Sequence, residues 1–294
     1  MSKITDLINE IIIDKNIESG EELCKSKIYN YESNISCEHF EIVNDSQSEF
    51  YNKPKGVYDL ISLDNSLYLS TNEREYISDI VHRRLKKLLK VKKNDKILVV
   101  GLGNRHISSD SLGVNVVSGI NITFESKYFP KVMAICPSVM GLTGIETSSI
   151  IDGVIDKVKP DILILIDSLC ASDISRLGKS IQITNNGLCP GSGIGNNRKC
   201  IGENFKGQVI SIGVPLLIYA STFITSTFNK YDIDNSKING IMQNIKKNKN
   251  IDEIKEFVSN VNNVYLSNLD DIIVSIKDIA ECVEILSQGK LICQ

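Results

Sequence analysis

The middle of the chain alternates between short, continuous apolar runs and segments of helical periodicity. KILVVGL (96–102), VMAIC (132–136), DILILID (161–167) and QVISIGVP (208–215) read as strands buried on both faces. Between them, GIETSSIIDGVIDKV (144–158) reads as a helix with Ile151, Val154, Ile155 and Val158 on one face. Buried β-branched runs that alternate with helices predict an α/β fold: a mostly parallel sheet with helices on both faces.

The flanking regions are less regular. Residues 1–95 carry strand-like pieces such as GVYDLISL (56–63), which predicts a small irregular β-containing segment. A helix is predicted over 72–91. Ser70 and Glu73 form its capping box, and Ile77, Ile80, Val81, Leu85, Leu88 and Leu89 form its apolar face. Residues 235–263 read as loop or weak helix. A last helix is predicted over 269–287, capped by Ser267 and Asp270. No internal repeat is visible.

Composition narrows the class. Of the 294 residues 42% are hydrophobic and 23% charged, with a formal net charge of −3, so no global field favours nucleic acid or an anionic membrane. No apolar stretch reaches the roughly 18–20 residues that span a bilayer. The N-terminus lacks a secretory signal, which predicts a cytoplasmic location. Eight cysteines form no CxxC pair, and without a signal peptide they are expected to be reduced thiols. Arg83, Arg84, Lys86, Lys87, Lys90, Lys92, Lys93 and Lys96 are expected to form a solvated face, because no aromatics interleave for base stacking.

Candidate chemistry follows from the strand ends, where open α/β sheets place their sites. The stretch ILVVGLGNRHISSDSLG (97–113) resembles a nucleotide-binding turn, but His106 stands where the third glycine of the fingerprint belongs and no phosphate-loop lysine follows. The alternative is that the turn presents Asp110. The strand at 161–167 ends on Asp167. Two carboxylates beside one crevice repel, so one takes up a proton, giving a general acid and a general base. They could activate water against a peptide carbonyl, or hold a divalent metal with His106. Each aspartate could instead cap a following helix. The glycine cluster of 187–195 has four glycines in nine positions and reads as a turn-rich segment with Arg198 and Lys199 beside it. Cys170 and Cys189 lie near the site, but no histidine pairs with them in a nucleophile pattern.

VVGLGN, SSDSLG, PSVMGLTGIETSSII, DILILIDSL and GLCPGSGIGNNRK, in this order, resemble the germination protease family of endospore-forming bacteria. The resemblance runs from about 96 to 225 and is weaker over 1–95. It implies a fold similar to the hydrogenase maturation proteases and an endopeptidase that starts the degradation of small acid-soluble spore proteins during germination. It also implies an atypical aspartic protease without a cofactor or metal, made as a self-processing zymogen, assembled as a homotetramer and located in the spore core.

By that resemblance Asp110 and Asp167 are catalytic. The glycine content of 187–195 lets the segment approach an extended peptide closely, so Gly191 and Gly193, with Arg198 and Lys199 beside them, are expected to hold substrate. The cut between Asp6 and Leu7 removes a propeptide of residues 1–6. The remainder, 7–294, is expected to form one peptidase domain: a strand and helix region over 7–95, a catalytic core over 96–225, and a variable loop with the last helix over 226–294. No nucleic-acid or membrane partner is implied. Glu146 lies in a matching motif without an assigned role, and a histidine is more usual where Cys189 stands. A catalytically silent paralogue that binds spore proteins, and a metal-dependent maturation peptidase, are the alternatives. A rival reading of the N-terminus makes 1–14 the start of an amphipathic helix that buries Leu7, Ile11 and Ile12.

Overall fold

The structure is a computed structural model and describes residues 5–32, 34–63, 71–125, 130–189 and 200–218. Ser70, the 235–263 segment and the helix expected over 269–287 lie outside the described residues.

The four apolar runs form the parallel strands that their composition predicts. β4 (Lys96–Gly101), β5 (Lys131–Ile135), β6 (Ile162–Ala171) and β8 (Gln208–Ile218) lie in the order β8-β6-β4-β5. The N-terminal strands do not sit apart from this core. β1 (Lys27–Asn30), β2 (Ile35–Ile42), β3 (Gly56–Leu63) and β7 (Ser180–Thr184) continue the same sheet with antiparallel pairing, giving eight strands ordered β1-β2-β3-β7-β8-β6-β4-β5. The α/β class holds, and β7 joins the two halves.

Side chains alternate across the pleat and so sort the helices onto two faces. Ile97, Val99, Ile162, Ile164 and Ile166 pack on one face with Ile80, Val81 and Leu85 of α3 (Thr71–Leu88) and Leu112 and Val116 of α4 (Leu112–Ser118). The intervening Leu98, Val100, Leu163 and Leu165 face the other side, against Ile151, Val154 and Ile155 of α6 (Thr147–Val158). Further along the sheet, Phe40, Ile42 and Tyr58 pack with α1 (Ile8–Ser19) and α2 (Asp45–Tyr51). A one-turn α5 (Met140–Thr143) precedes α6.

One residue of the basic stripe departs from the expected solvated face. Arg84 is only 3% exposed and Asp59 is fully buried. Arg84 Nε donates to Asp59 Oδ2 at 2.7 Å and Nη2 donates to Oδ1 at 2.5 Å, a two-point pair that joins α3 to β3. His39 Nδ1 lies 2.6 Å from the same carboxylate, and the Tyr29 ring covers the guanidinium at 4.9 Å. Arg84 is drawn inward because Asp59 lies at a core register of β3, a pairing that helical spacing cannot reveal. Arg83, Lys86, Lys87 and Lys90 remain exposed.

Breaking a buried ion pair strands the remaining charge in low dielectric. Arg84→Met is therefore expected to cost about 3–5 kcal/mol. Urea unfolding of the variant against wild type measures it, and a loss below about 1 kcal/mol contradicts the assignment.

Candidate active site

β4 and β6 remain in register only as far as Gly101 opposite Ile166. β6 does not end at Asp167, as expected from the sequence, but continues to Ala171, paired with β8 up to Ile218. β6 runs on because SLCA keeps its ladder partner on the β8 side after β4 has turned away. Asp167 therefore sits just past the last β4 partner, inside a strand whose ten residues are all buried. The crevice opens where β4 leaves.

The turn after β4 presents Asp110 through close backbone packing. Gly103 has φ +106, and a Cβ there would collide with the Asp110 carbonyl oxygen. A Cβ on Gly101 would strike the Gly113 carbonyl, so α4 lies directly against β4. These glycines serve backbone contact between the turn, α4 and the sheet. Asn104 N–H donates to Asp110 Oδ2 at 3.0 Å, and the Asp110 carbonyl accepts from the same N–H at 2.8 Å. Asp110 ends a 3-10 turn (Ser108–Asp110), while Ser111 takes the N-cap position of α4 without a side-chain cap bond.

Asp110 and Asp167 line one cavity of about 1120 Å³. Asp167 is 8% exposed, and its Oδ1 accepts from Ser168 N–H at 2.9 Å. Burial holds the Asp167 carboxyl well above the usual carboxylate range. The Asp110 charge adds to this, the Ser168 N–H opposes it, and Asp6 adds further. Burial also raises Asp110, which the Asn104 N–H partly offsets. The more buried Asp167 is the better proton holder, and the half-buried Asp110 is the better base. Among the described residues neither aspartate caps a helix: their carboxylates accept from Asn104 and Ser168 N–H instead.

Other sequence-derived sites fare unequally. His106 is exposed, its N–H bonded to Asn104 Oδ1. Among the described residues no three His, Cys, Asp or Glu side chains cluster as metal ligands. Gly191, Gly193, Arg198 and Lys199 lie outside the described residues, although Gly187, Leu188 and Cys189, which lead into that segment, line the crevice. The expectation of reduced thiols fails at one place. Cys189 and Cys200 form a disulfide, with Cα atoms 4.1 Å apart. The isolated antiparallel bridge of Leu188 with Ile201 sets them opposite each other, a return of the chain that the spacing of eleven residues does not disclose. Among the described residues Cys24, Cys37 and Cys136 are free thiols.

The N-terminal segment enters the site. Asp6 N–H donates to the Cys170 carbonyl at 2.8 Å, and Cys170 N–H donates to Asp6 Oδ2 at 2.9 Å, beyond the reach of β4. Leu7 is fully buried among Leu60, Leu169 and Ala171. Ile12 is buried and Ile11 half-buried, as the rival reading expects, but α1 begins only at Ile8, and residues 5–7 with the buried Leu7 precede the helix. Three contributors escaped the sequence reading. Half-buried Lys53 lines the crevice, its pKa lowered by burial against the pull of Asp6. Gln182 donates to the Asp6 carbonyl at 3.3 Å and accepts from Ile8 N–H at 2.8 Å. Ser168 lines the crevice, and its buried hydroxyl has no hydrogen-bond partner among the described residues. Lys53 and Gln182 lie in no recognisable motif, and Ser168, although inside DILILIDSL, stands out there only by its place after Asp167.

The germination protease family profile matches residues 14–235. The chain belongs to the germination protease family. It is 34% identical to the germination protease of Caldanaerobacter subterraneus subsp. tengcongensis, over 81% of this chain and 78% of that one. It is also 34% identical to the Clostridium tetani protein of that name, over 84% of this chain and 80% of the relative. A hydrogenase maturation protease from Thermococcus kodakarensis is a distant structural match, 19% identical with a TM-score of 0.32, covering 45% of this chain and 80% of that one. Family membership makes the chain a hydrolase that cuts peptide bonds within proteins. No helix among the described residues is long and apolar enough to cross a membrane.

A carboxyl whose folded pKa is raised stabilises the protein below its unfolded pKa, and that contribution is lost as pH rises through the folded value. For Asp167, raised by burial, Asp167→Asn is expected to match wild-type thermal stability at acidic pH and exceed it as pH rises. Melting midpoints across pH measure this; a variant less stable than wild type at alkaline pH contradicts it.

Proposed function

We propose that this germination protease starts the breakdown of small acid-soluble spore proteins in the spore core, using water activated between Asp110 and Asp167. The observation that carries the reading is the shared crevice, with a strongly raised Asp167 beside a more accessible Asp110. Asp110, ionised, takes a proton from water as it attacks the peptide carbonyl. Asp167, protonated, hydrogen-bonds the carbonyl oxygen and supplies a proton as the tetrahedral intermediate collapses. Lys53, Ser168 and the glycine-rich segment with Gly191, Gly193, Arg198 and Lys199 would then hold the substrate chain. The active form is a homotetramer.

Incubation of the purified chain with acid-soluble spore protein, with and without a chelator, tests the reading. Cleavage is expected in both. Asp110→Asn and Asp167→Asn are each expected to lower the rate by about 10²–10⁴-fold while leaving the circular dichroism spectrum unchanged. Full activity in either variant removes that residue from the mechanism. Binding without cleavage by the wild type points to a silent paralogue, and loss on chelation points to a metal-dependent enzyme.

The same reading makes residues 1–6 a propeptide, cut between Asp6 and Leu7. Asp6 supplies the acidic and Leu7 the apolar partner of the expected site. The bond is docked against Cys170 and Gln182, so cleavage requires the terminal segment to open locally first. Mass spectrometry of protein held at mildly acidic pH is expected to find a new N-terminus at Leu7 that the Asp167→Asn variant lacks. Fully active enzyme that keeps residues 1–6 overturns the processing step.

A further inference from the structure

The docked N-terminus holds a buried carboxylate that the reaction does not use. Glu10 is 7% exposed, on the first turn of α1. Its Oε2 accepts from Ser172 N–H at 2.7 Å and its Oε1 from Asp173 N–H at 3.0 Å, in the turn that follows β6. The remaining partner among the described residues is the Thr5 hydroxyl, which donates to Oε2. The same hydroxyl oxygen accepts from Leu7 N–H at 3.1 Å. Thr5 thus sits as a single bridging atom between the backbone nitrogen of Leu7 and the carboxylate of Glu10.

A cut between Asp6 and Leu7 removes that bridge. Water adds across the Asp6–Leu7 peptide bond, its hydroxyl going to the Asp6 carbonyl carbon and its hydrogen to the Leu7 nitrogen. At neutral pH the new acid gives up a proton and the new amine takes one from solvent. Residues through Asp6 can then leave, while Leu7 stays anchored among Leu60, Leu169 and Ala171, and Ile8 N–H remains on Gln182. The product is a cation at the Leu7 nitrogen and, one vacated hydroxyl away, a buried carboxylate that has lost a donor.

We propose that Glu10 is the positioning residue that receives the α-ammonium of Leu7 after processing, tying the trimmed N-terminus to the turn behind Asp167. The proposal rests on the processing reading above. Neutral Thr5 is replaced by a charge-assisted bond of the kind that holds most strongly in a buried place. Departure of Asp6 also uncovers both backbone groups of Cys170 and removes one negative charge from beside Asp167. The other ionisable groups close to this segment are Asp6, which leaves with the cut, Lys53 and Asp167, which feel the Asp6 charge, Cys170, whose backbone Asp6 engages, and Asp173 in the turn.

The test does not depend on self-cleavage. The chain is released from a removable N-terminal fusion so that it starts at Leu7, and is compared with one starting at an added glycine before Leu7 and with a Leu7-start chain carrying Glu10→Gln. An ammonium held by a buried carboxylate titrates above the ordinary α-amino range. Its stabilisation is present below about pH 7.7 and is lost as pH rises through the higher folded value. Between about pH 7 and about pH 10, the Leu7-start chain is expected to lose roughly 2–4 °C more of its melting midpoint than the glycine-extended chain. The Glu10→Gln chain is expected to show no such extra loss. NMR titration of the α-amine is expected to give a higher pKa with Glu10 than with Glu10→Gln. Identical pH profiles for the Leu7-start and glycine-extended chains, or an α-amine pKa unmoved by Glu10→Gln, overturn the proposal. Failure of the wild-type chain to yield a Leu7 terminus is a separate result, which defeats the processing step while leaving the ion pair measurable in the Leu7-start chain.

Discussion

The site depends on one costly placement: a carboxylate, Asp167, within a strand whose every residue is buried. Water-starved carboxylates hold their protons, and a single backbone N–H from Ser168 relieves only part of the penalty. The charge of Asp110 pushes the same way. The fold supports this by over-determining β6. Two parallel neighbours grip its first half, β8 alone continues beside its second half, and apolar residues pack on both faces. A group that is expensive to ionise is thereby held in one crevice with a second carboxylate, Asp110.

The early exit of β4 converts that strand into a crevice. Gly101, Gly103 and Gly113 let the turn and α4 lie directly on the sheet, which leaves Asp110 at the mouth. On the opposite side the antiparallel half of the sheet, joined through β7 and tied to α3 by Arg84 and Asp59, carries α1 and α2 to the other wall. The N-terminal segment docks on backbone groups of Cys170 that β4 no longer reaches. Peptide chain therefore already occupies the end of β6 beside the aspartates. That arrangement suits a family of enzymes that cut proteins.

Much of this was legible in the residues. The apolar runs became β4, β5, β6 and β8 because a strand buried on both faces needs continuous apolar sequence. The spacing of Ile77, Ile80, Val81 and Leu85 placed α3, and two strands running into aspartates marked the crevice. β2 and β7 were less legible. ISCEHFEI mixes charged residues into its alternation, and SIQIT is too short to separate from a turn-rich stretch. The inward turn of Arg84, the approach of Lys53 and Gln182, and the Cys189–Cys200 bridge involve partners far apart along the chain or brought together by its return. Local pattern carries no information on such pairs.

By itself the sequence determined that β4, β5, β6 and β8 are strands and α3 and α6 helices, which faces those helices bury, and that Asp110 and Asp167 follow apolar runs, because these depend on periodicity and on chemistry within a few residues. Tertiary structure decided how far β6 outruns β4, and with it that Asp167 lies inside a strand rather than at its tip. It also decided that the N-terminal strands extend the central sheet, that Arg84 is a core residue, and that Leu7 and Glu10 dock against β6 and the turn that follows it. These outcomes depend on register and on which elements become neighbours, and burial and charge take their values only once those neighbours are in place.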